Sequence, residues 1–348
     1  MVIKYLTRKL FSTLASSPPA VEQTQKFLQI GQTTHYPVMY REVQAMVDDF
    51  IAHNEKEKLD FQMLDCTFGG GNHSVPLLRK HQALKILGTD LDSKTLDVCR
   101  VQYSDLIKEK RLALEHMNFV NSFGVDPRGS FKQRFGVKDR YDIALLDLGF
   151  SSYQLEDTER GFSYIGPDEQ PLDMRFDHNS EKQSSAADIV NNASELELSS
   201  IFKKFGDEKY SSQLAKKLIQ FRQGKMILTT GQLKEAIRDA FPNSSRDEKN
   251  QTIKRIFQAI RISTNYELLN LQTFLEYVQK GKIMDQNSML MIITFHSLEE
   301  KLVSQSFVKW KKFEKGNFGT KKPLIPSNEE VQENSRSKSA KLYTFLFD

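Results

Sequence analysis

Three consecutive glycines follow a short apolar run, and an acidic residue ends the next run. The first run spans 61–66 and leads into Gly69, Gly70 and Gly71. Glycine lets the backbone approach a ligand closely, and ligands bind beyond the carboxyl ends of parallel strands. Asp90 stands 19 positions after Gly71, about the spacing at which an acid meets a ribose hydroxyl in dinucleotide folds. The pair favours a nucleoside site over a flexible turn followed by a strand-end aspartate.

Two nucleoside cofactors compete for this loop. A typical NAD site has the pattern G-x-G-x-x-G at the start of a helix, but counting from Gly69 the third glycine is replaced by Ser74. S-adenosylmethionine has no phosphate, so a glycine-rich turn and a strand-end acid suffice to bind it. The residues therefore favour S-adenosylmethionine.

Other polar residues follow apolar runs or lie in loops. Asp147 lies near the end of the run at 141–149, and His296 follows a run near 288. If these runs are strands of one parallel sheet, both residues face the same crevice as the glycine loop. The stretch 160–177, which contains Asp173, has neither helical nor strand periodicity, and polar loops of this kind often carry function. Asp147 is the first catalytic candidate. Asp173 and His296 are weaker ones, since a lone histidine is more often structural.

The elements that must position these residues alternate between strand and helix. Buried strands are predicted at 61–66, 84–90 and 141–149, and helices follow the first two, with Ser74 and Ser93 as N-caps. This alternation predicts an α/β fold with a parallel sheet and right-handed crossovers.

The strand pattern stops at 157–258 and returns near 288, which predicts a helical subdomain inserted in the sheet domain. The tail at 316–341 is rich in Gly, Lys, Pro, Asn and Ser and is predicted to be a loop. The predicted division is a leader, a first part of the core, a helical insertion, and a second part of the core with a basic tail: 1–30, 31–156, 157–258 and 259–348.

Composition limits the classes of protein. Hydrophobic residues make up 39% and charged residues 27%, as in soluble globular proteins, and no run approaches the roughly 18 apolar residues of a membrane span. The net charge of +4 is too small to identify a polyanion-binding protein, although 301–348 carries ten Lys/Arg against five Asp/Glu. Cys66 and Cys99 are too far apart to resemble a zinc motif, so no metal site is predicted.

The first twenty residues differ from the rest of the chain. They contain Lys4, Arg8 and Lys9, and no acid occurs before Glu22. Three leucines spaced four apart would share one helical face. An amphipathic, acid-poor leader favours import into the mitochondrial matrix, and the alternative is a frayed basic terminus.

Taken together, segments from 34 to 345 resemble the MraW/RsmH family of ribosomal RNA methyltransferases. They are HYPVMYREV, LDCTFGGGNHS, LGTDLD, LLDLGFSSYQLEDTERGFSY, PLDMRFD, IKRIFQAIRI, NYEL, ITFHSLEEKLV and NSRSKSAKL, in that order. The resemblance implies a Rossmann-like class I methyltransferase sheet domain with an inserted helical subdomain. It also implies methylation of a cytosine N4 in small-subunit ribosomal RNA with S-adenosylmethionine. With the leader, it implies a mitochondrial member that supports ribosome assembly and translation.

The resemblance also assigns residues to the cofactor site: Gly71, Asn72, His73, Asp90, Phe119, Asp147 and Gln154. Phe119 is placed to stack on adenine. The loop departs from the family at two positions, because Asn72 replaces a usual glycine and Gly70 a usual arginine. Asparagine tolerates positive φ better than most residues, so cofactor affinity is the property that this change affects.

The implied reaction needs a group that accepts hydrogen bonds from a weakly nucleophilic amine, and Asp147 is the first candidate. Methylation at carbon 5 would instead need a cysteine nucleophile, and neither Cys66 nor Cys99 lies in a reactive context. Two other functions stay open: an RNA-binding ribosome-assembly factor that has lost catalysis, and a small-molecule methyltransferase. The RNA partner is either naked small-subunit RNA or the assembling subunit. The protein is either a monomer or a homodimer.

Overall fold

The computed structural model describes residues 29–30, 33–34, 36–56, 58–122 and 140–348, which form two compact units. One unit joins Met1–Gly149 with Asn270–Asp348, and the other is Phe150–Leu269. The predicted insertion at 157–258 falls within the second unit. The predicted leader lies outside the described residues, apart from 29 and 30. Among the described residues, no helix has the length and apolar character needed to cross a membrane.

The first unit is built on a seven-stranded sheet in the order β5-β4-β3-β6-β7-β9-β8. Strands β3 to β7 are parallel where they pair, whereas β9 runs antiparallel to β7 and to β8. β1 and β2 form a separate two-stranded sheet. The strands are β1 (Gln29–Ile30), β2 (Thr33–Thr34), β3 (Phe61–Asp65), β4 (Leu84–Asp90), β5 (Leu112–His116), β6 (Tyr141–Asp147), β7 (Met284–Thr294), β8 (Gly316–Phe318) and β9 (Lys341–Phe347).

Helices connect these strands and build the second unit. They are α1 (Tyr40–Asn54), α2 (Ser74–Lys80), α3 (Ser93–Gln102), α4 (Ser104–Lys108), α5 (Ser152–Glu156), α6 (Ala186–Asn192), α7 (Glu195–Gly206), α8 (Ser211–Gly224), α9 (Thr230–Ala240), α10 (Arg246–Asn265), α11 (Glu267–Gln279), α12 (Ser297–Lys312) and α13 (Asn328–Glu333). Two 3₁₀ helices, Phe119–Ser122 and Ser335–Ser339, complete the described elements.

The strand order reverses between β3 and β6. From β3 the chain moves outward through β4 and β5, and it then returns to the other side of β3 with β6 and β7. Ligands bind beyond the carboxyl ends of the strands at such a switch point, which here lies between Asp65 and Asp147. The predicted Rossmann-like α/β sheet domain with an inserted helical unit is confirmed.

Two details of the sequence prediction are wrong. Ser74 and Ser93 are the first helical residues, and the caps are His73 and Asp92, whose carboxylate accepts from the Thr95 N–H. The tail at 316–341 also holds β8 and α13 rather than one loop. Because its composition is polar, the tail gives no sequence signal for β8, an edge strand whose partner, β9, lies further along the chain.

The helical unit folds around its own core. Leu198, Phe202, Leu218, Ile237 and Ile256 are buried together, and burying each such side chain contributes about 1.5–3 kcal/mol. Capping boxes, in which a Ser or Thr and the side chain three residues on satisfy each other's backbone N–H, begin α5, α6, α7, α9 and α10. The sequence thereby fixes where most of these helices start.

Candidate functional site

The glycine loop joins β3 to α2 at the switch point. Gly69 and Gly71 have positive φ angles of 51° and 73°. The Phe68 ring packs so closely against Gly71 that an added Cβ would lie 2.5 Å from its Cζ. The Tyr103 hydroxyl donates to the Gly70 carbonyl at 2.9 Å. Both the backbone angle and the lack of space therefore require glycine at position 71. The hydrogen bond from Tyr103 holds the loop in place.

Asp90 ends β4 beside this loop and fixes its position. Its Oδ2 accepts from the Gly69 N–H at 2.7 Å, and its Oδ1 accepts from the Asp92 N–H at 2.9 Å. Burial raises the pKa of Asp90 to about 6, against the lowering effect of those backbone hydrogen bonds. A carboxylate has about four acceptor sites, so further donors have room to bind.

Asp147 ends β6 on the other side of β3. Its backbone N–H donates to the Thr67 hydroxyl at 2.7 Å, which ties the two strand ends together. Its Oδ2 lies 3.5 Å from Nε2 of His73, while Oδ1 is buried and has no hydrogen-bond partner among the described residues. The edge thus presents a carboxylate with unused acceptor capacity.

Asp65 is a site residue that the sequence analysis did not select. It is buried at the end of β3, where it accepts from the Ser74 hydroxyl at 2.6 Å and from the Thr67 N–H at 3.2 Å. Burial raises its pKa to about 6, and the hydrogen bond from Ser74 opposes that rise. The sequence signal that could have identified Asp65 is its position as the acid at the end of a buried strand.

The other predicted residues of the first unit lie at the same edge. Asn72 and His73 are buried in the turn before α2. Phe119 begins the 3₁₀ helix that follows β5, and its ring meets Phe274 edge to face at 5.8 Å. His296 caps α12, since its Nδ1 accepts from the Glu299 N–H at 3.4 Å. The contacts described for His296 are those of a helix cap.

Gln154 and Asp173 belong to the helical unit. The side-chain oxygen of Gln154 accepts from the Ser151 N–H at 2.9 Å and completes the capping box of α5. The guanidinium of Arg175 donates to both carboxylate oxygens of Asp173, with N···O distances of 2.7 to 3.1 Å. Because this fork occupies both carboxylate oxygens, the described contacts of Asp173 resemble those of a structural ion pair more than those of a base.

The irregular stretch 160–177 is organised around a buried arginine. Arg160 is 1% exposed, and its Nη2 donates to the carbonyls of Arg175 and Phe176 at 2.8 and 2.9 Å. The Phe162 ring is stacked between those of Phe150 and Phe176. These contacts explain the lack of periodicity, because side chains rather than a regular backbone hold the segment.

Comparisons with known proteins agree on one family. A family model described as the MraW methylase family matches residues 32–347. Ribosomal RNA small subunit methyltransferase H of Sulfurihydrogenibium sp. (strain YO3AOP1) is 36% identical over 294 residues, covering 82% of this chain and 95% of that protein. The protein of that name from Clostridium botulinum (strain Loch Maree / Type A3) is 37% identical over 324 residues, covering 87% and 97%. A solved putative rRNA-methylase from Clostridium thermocellum covers 91% of this chain and 100% of that one, at 8% identity and a TM-score of 0.32, too low to bear on function.

Proposed function

Because this chain belongs to the MraW methylase family, we propose that it methylates the exocyclic N4 of a cytidine in small-subunit ribosomal RNA. Membership confirms the resemblance stated from the sequence, and it makes the chain a methyltransferase whose cofactor is S-adenosylmethionine. The observation that carries the proposal is the switch-point edge, where Asp90 and Asp147 stand on opposite sides of the strand that carries the glycine loop.

The residues at this edge fit S-adenosylmethionine. A Cβ at Gly69 would meet no atom within 4 Å, so the backbone there is open to a ligand. Asp90 offers acceptor sites for ribose hydroxyls, and the orphaned Oδ1 of Asp147 is an acceptor that an N–H group would satisfy. Phe119 offers a ring for the adenine. When bound, the cofactor supplies a methyl group attached to positively charged sulfur.

The protein itself contributes by orienting the substrate amine and by accepting its proton. The N4 amine of cytosine is a weak nucleophile because its lone pair is delocalised into the ring. A carboxylate that accepts an N–H of this amine holds it in line for attack and favours loss of its proton. Asp147 is the residue that we assign to this task, because its side chain is 26% exposed at the switch-point edge and its carboxylate has unused acceptor capacity.

The two cysteines support N4 over carbon 5. Methylation at carbon 5 requires a thiolate that adds to the pyrimidine ring. Cys66 and Cys99 are both buried. Burial raises the pKa of Cys66 well above its usual value and that of Cys99 to about 12. Neither thiol therefore provides a thiolate at neutral pH.

We further propose that the protein acts in the mitochondrial matrix and there supports small-subunit assembly and translation. The support is the first twenty residues of the leader, which carry Lys4, Arg8 and Lys9, have an amphipathic pattern and contain no acid. Replacing Lys4, Arg8 and Lys9 by Glu is expected to leave a tagged protein in the cytosol. A tagged variant that still reaches mitochondria would contradict the interpretation of the leader.

Nucleoside analysis of RNA methylated by the purified protein tests the reaction. We expect N4-methylcytidine, whereas label in 5-methylcytidine or on another base would overturn the assignment. Transfer of tritiated methyl groups separates an active enzyme from a catalytically silent assembly factor. Asp147→Asn should lower turnover at saturating cofactor, with cofactor binding measured separately. Mass spectrometry of mitochondrial small-subunit RNA with and without the protein then tests the substrate.

A further inference from the structure

His73 is a buried histidine whose ring faces carboxyl groups from four segments. The residue is 7% exposed, and neither ring nitrogen has a hydrogen-bond partner among the described residues. The Tyr40 ring lies nearly parallel to it, with centroids 6.4 Å apart. Gln44 donates to the His73 carbonyl at 2.9 Å and so fixes its backbone. A buried nitrogen without a hydrogen-bond partner is costly, so we expect this ring to gain one when the site is occupied.

The carboxyl groups that interact with this ring lie on different elements. Asp147 of β6 is the nearest by the distance given above. Asp65 of β3, Glu42 of α1 and Glu330 of α13 also interact with it, because His73 lowers the pKa of each. Burial of these three carboxyl groups has a larger effect on their pKa values than His73 has. It raises the pKa of Asp65 to about 6 and that of Glu330 to about 7, and it also raises the pKa of Glu42.

The position of Glu330 is fixed by the chain's N-terminal half. Its Oε1 accepts from the Met39 N–H at 2.7 Å. Arg41, on α1, lowers the pKa of Glu42 and Glu330 and is the basic group in this set. The titratable and charged groups around this imidazole are therefore four carboxyl groups and one guanidinium, contributed by four segments of the first unit.

We propose that His73 is a positioning residue that acts through Asp147 and receives the proton released by the substrate amine. This inference rests on the proposed function. As the N4–methyl bond forms, the bond between the methyl group and the cofactor's sulfur would break and leave its electron pair on sulfur. One N4–H bond then breaks, its electron pair stays on nitrogen, and the proton passes to Oδ2 of Asp147. From there it moves to Nε2 of His73, where the surrounding carboxyl groups stabilise the cation. The 3.5 Å separation is long for a hydrogen bond, and such contacts tighten when the ligands are bound.

The test compares His73→Gln with a matched control, His81→Gln. Glutamine keeps an N–H donor near the position of Nε2 but cannot take up a proton. His81 lies at the end of α2, paired with Asp48 at 2.6 Å, outside the site. We expect His73→Gln to lower kcat by about 100-fold or more, with KM for RNA and calorimetric affinity for S-adenosylmethionine changed less than about threefold. The pH profile of kcat should also flatten, whereas His81→Gln should resemble the wild type.

A second measurement does not depend on activity or on that variant folding. In protein with ¹⁵N-labelled histidine, Asp147→Asn should shift the ring signals of His73 and leave those of His81 unchanged. Unmoved His73 signals would overturn the proposal, as would an unchanged kcat in His73→Gln. A loss of cofactor affinity equal to the loss of turnover would instead make the ring a cofactor contact. If the methylated base proves to be other than cytosine, the proposed function fails while the coupling between the two side chains still stands.

Discussion

Replacing Asp90 by alanine is expected to weaken binding of S-adenosylmethionine by roughly 30- to 140-fold. A hydrogen bond to a charged group contributes about 1.5–3 kcal/mol, and two to the ribose hydroxyls would contribute more. Alanine leaves space in which water can solvate those hydroxyls, so we take about 2–3 kcal/mol for the pair. At 1.4 kcal/mol per factor of ten, this gives the stated range. Isothermal titration calorimetry measures it directly.

Asp92 provides the control, since it is an acid two positions further on with a different task. It caps α3, and Asp92→Ala should reduce folding stability by about 1 kcal/mol while changing cofactor affinity little. Stability must be measured for both variants, because Asp90→Ala also leaves the N–H groups of Gly69 and Asp92 without their acceptor. Unchanged affinity in Asp90→Ala would refute the assignment. Equal losses in both variants would show that loop disorder, not ribose binding, was measured.

The same carboxylate gives the pH dependence of binding. Because burial raises the pKa of Asp90 to about 6, lowering the pH from 7 to 5 protonates it and removes acceptor capacity. Cofactor affinity in the wild type should therefore fall over that range. In Asp90→Ala this part of the pH dependence should be lost.

Two further predictions concern stability. Burial raises the pKa of Glu330 to about 7, so the folded protein holds this proton more tightly, and its stabilising contribution is lost as the pH rises from about 4.5 through 7. Glu330→Gln retains an acceptor for the Met39 N–H but has no carboxyl group to titrate. Its free energy of unfolding should therefore fall less between pH 5 and 8 than that of the wild type. An equal fall in the two proteins, measured by urea titration, would contradict this. Gly71→Ala forces a Cβ to 2.5 Å from the Phe68 ring and should be destabilised by about 1–3 kcal/mol more than Gly69→Ala, whose Cβ meets nothing within 4 Å. Urea unfolding of the two variants, if equal, would show that the ring moves aside freely.

Three strands of the sheet and their ligand edge were predictable because β3, β4 and β6 are continuous apolar runs that end at an acid. The strand at 84–90 has the predicted bounds, and the other two end at Asp65 and Asp147, slightly before the predicted ends. The side chains at those ends lie where a parallel sheet must put them. Local pattern was sufficient at each of these positions.

The contact between Glu330 and Met39 was not predictable, because the two residues are 291 positions apart. Glu330 sits in a polar stretch with two other glutamates, which by pattern is a solvated surface. Only the fold shows that α13 returns to the start of α1 and buries this one acid. The burial of Arg160 was hidden as well, since its Nη2 donates to the backbone carbonyls of Arg175 and Phe176, and such acceptors have no sequence signal.

The separation of β6 from β7 has a consequence for biosynthesis. β6 ends at Asp147 and β7 begins at Met284, so the whole helical unit is translated between two neighbouring strands. At roughly 5–20 residues per second, a ribosome needs on the order of 7–30 s to reach the second strand. Throughout that interval the nascent sheet has an open edge at 141–147, and such edges recruit other strands. The helical unit has its own core and can fold first, so the emerging chain needs protection mainly at this one strand until its partner leaves the exit tunnel.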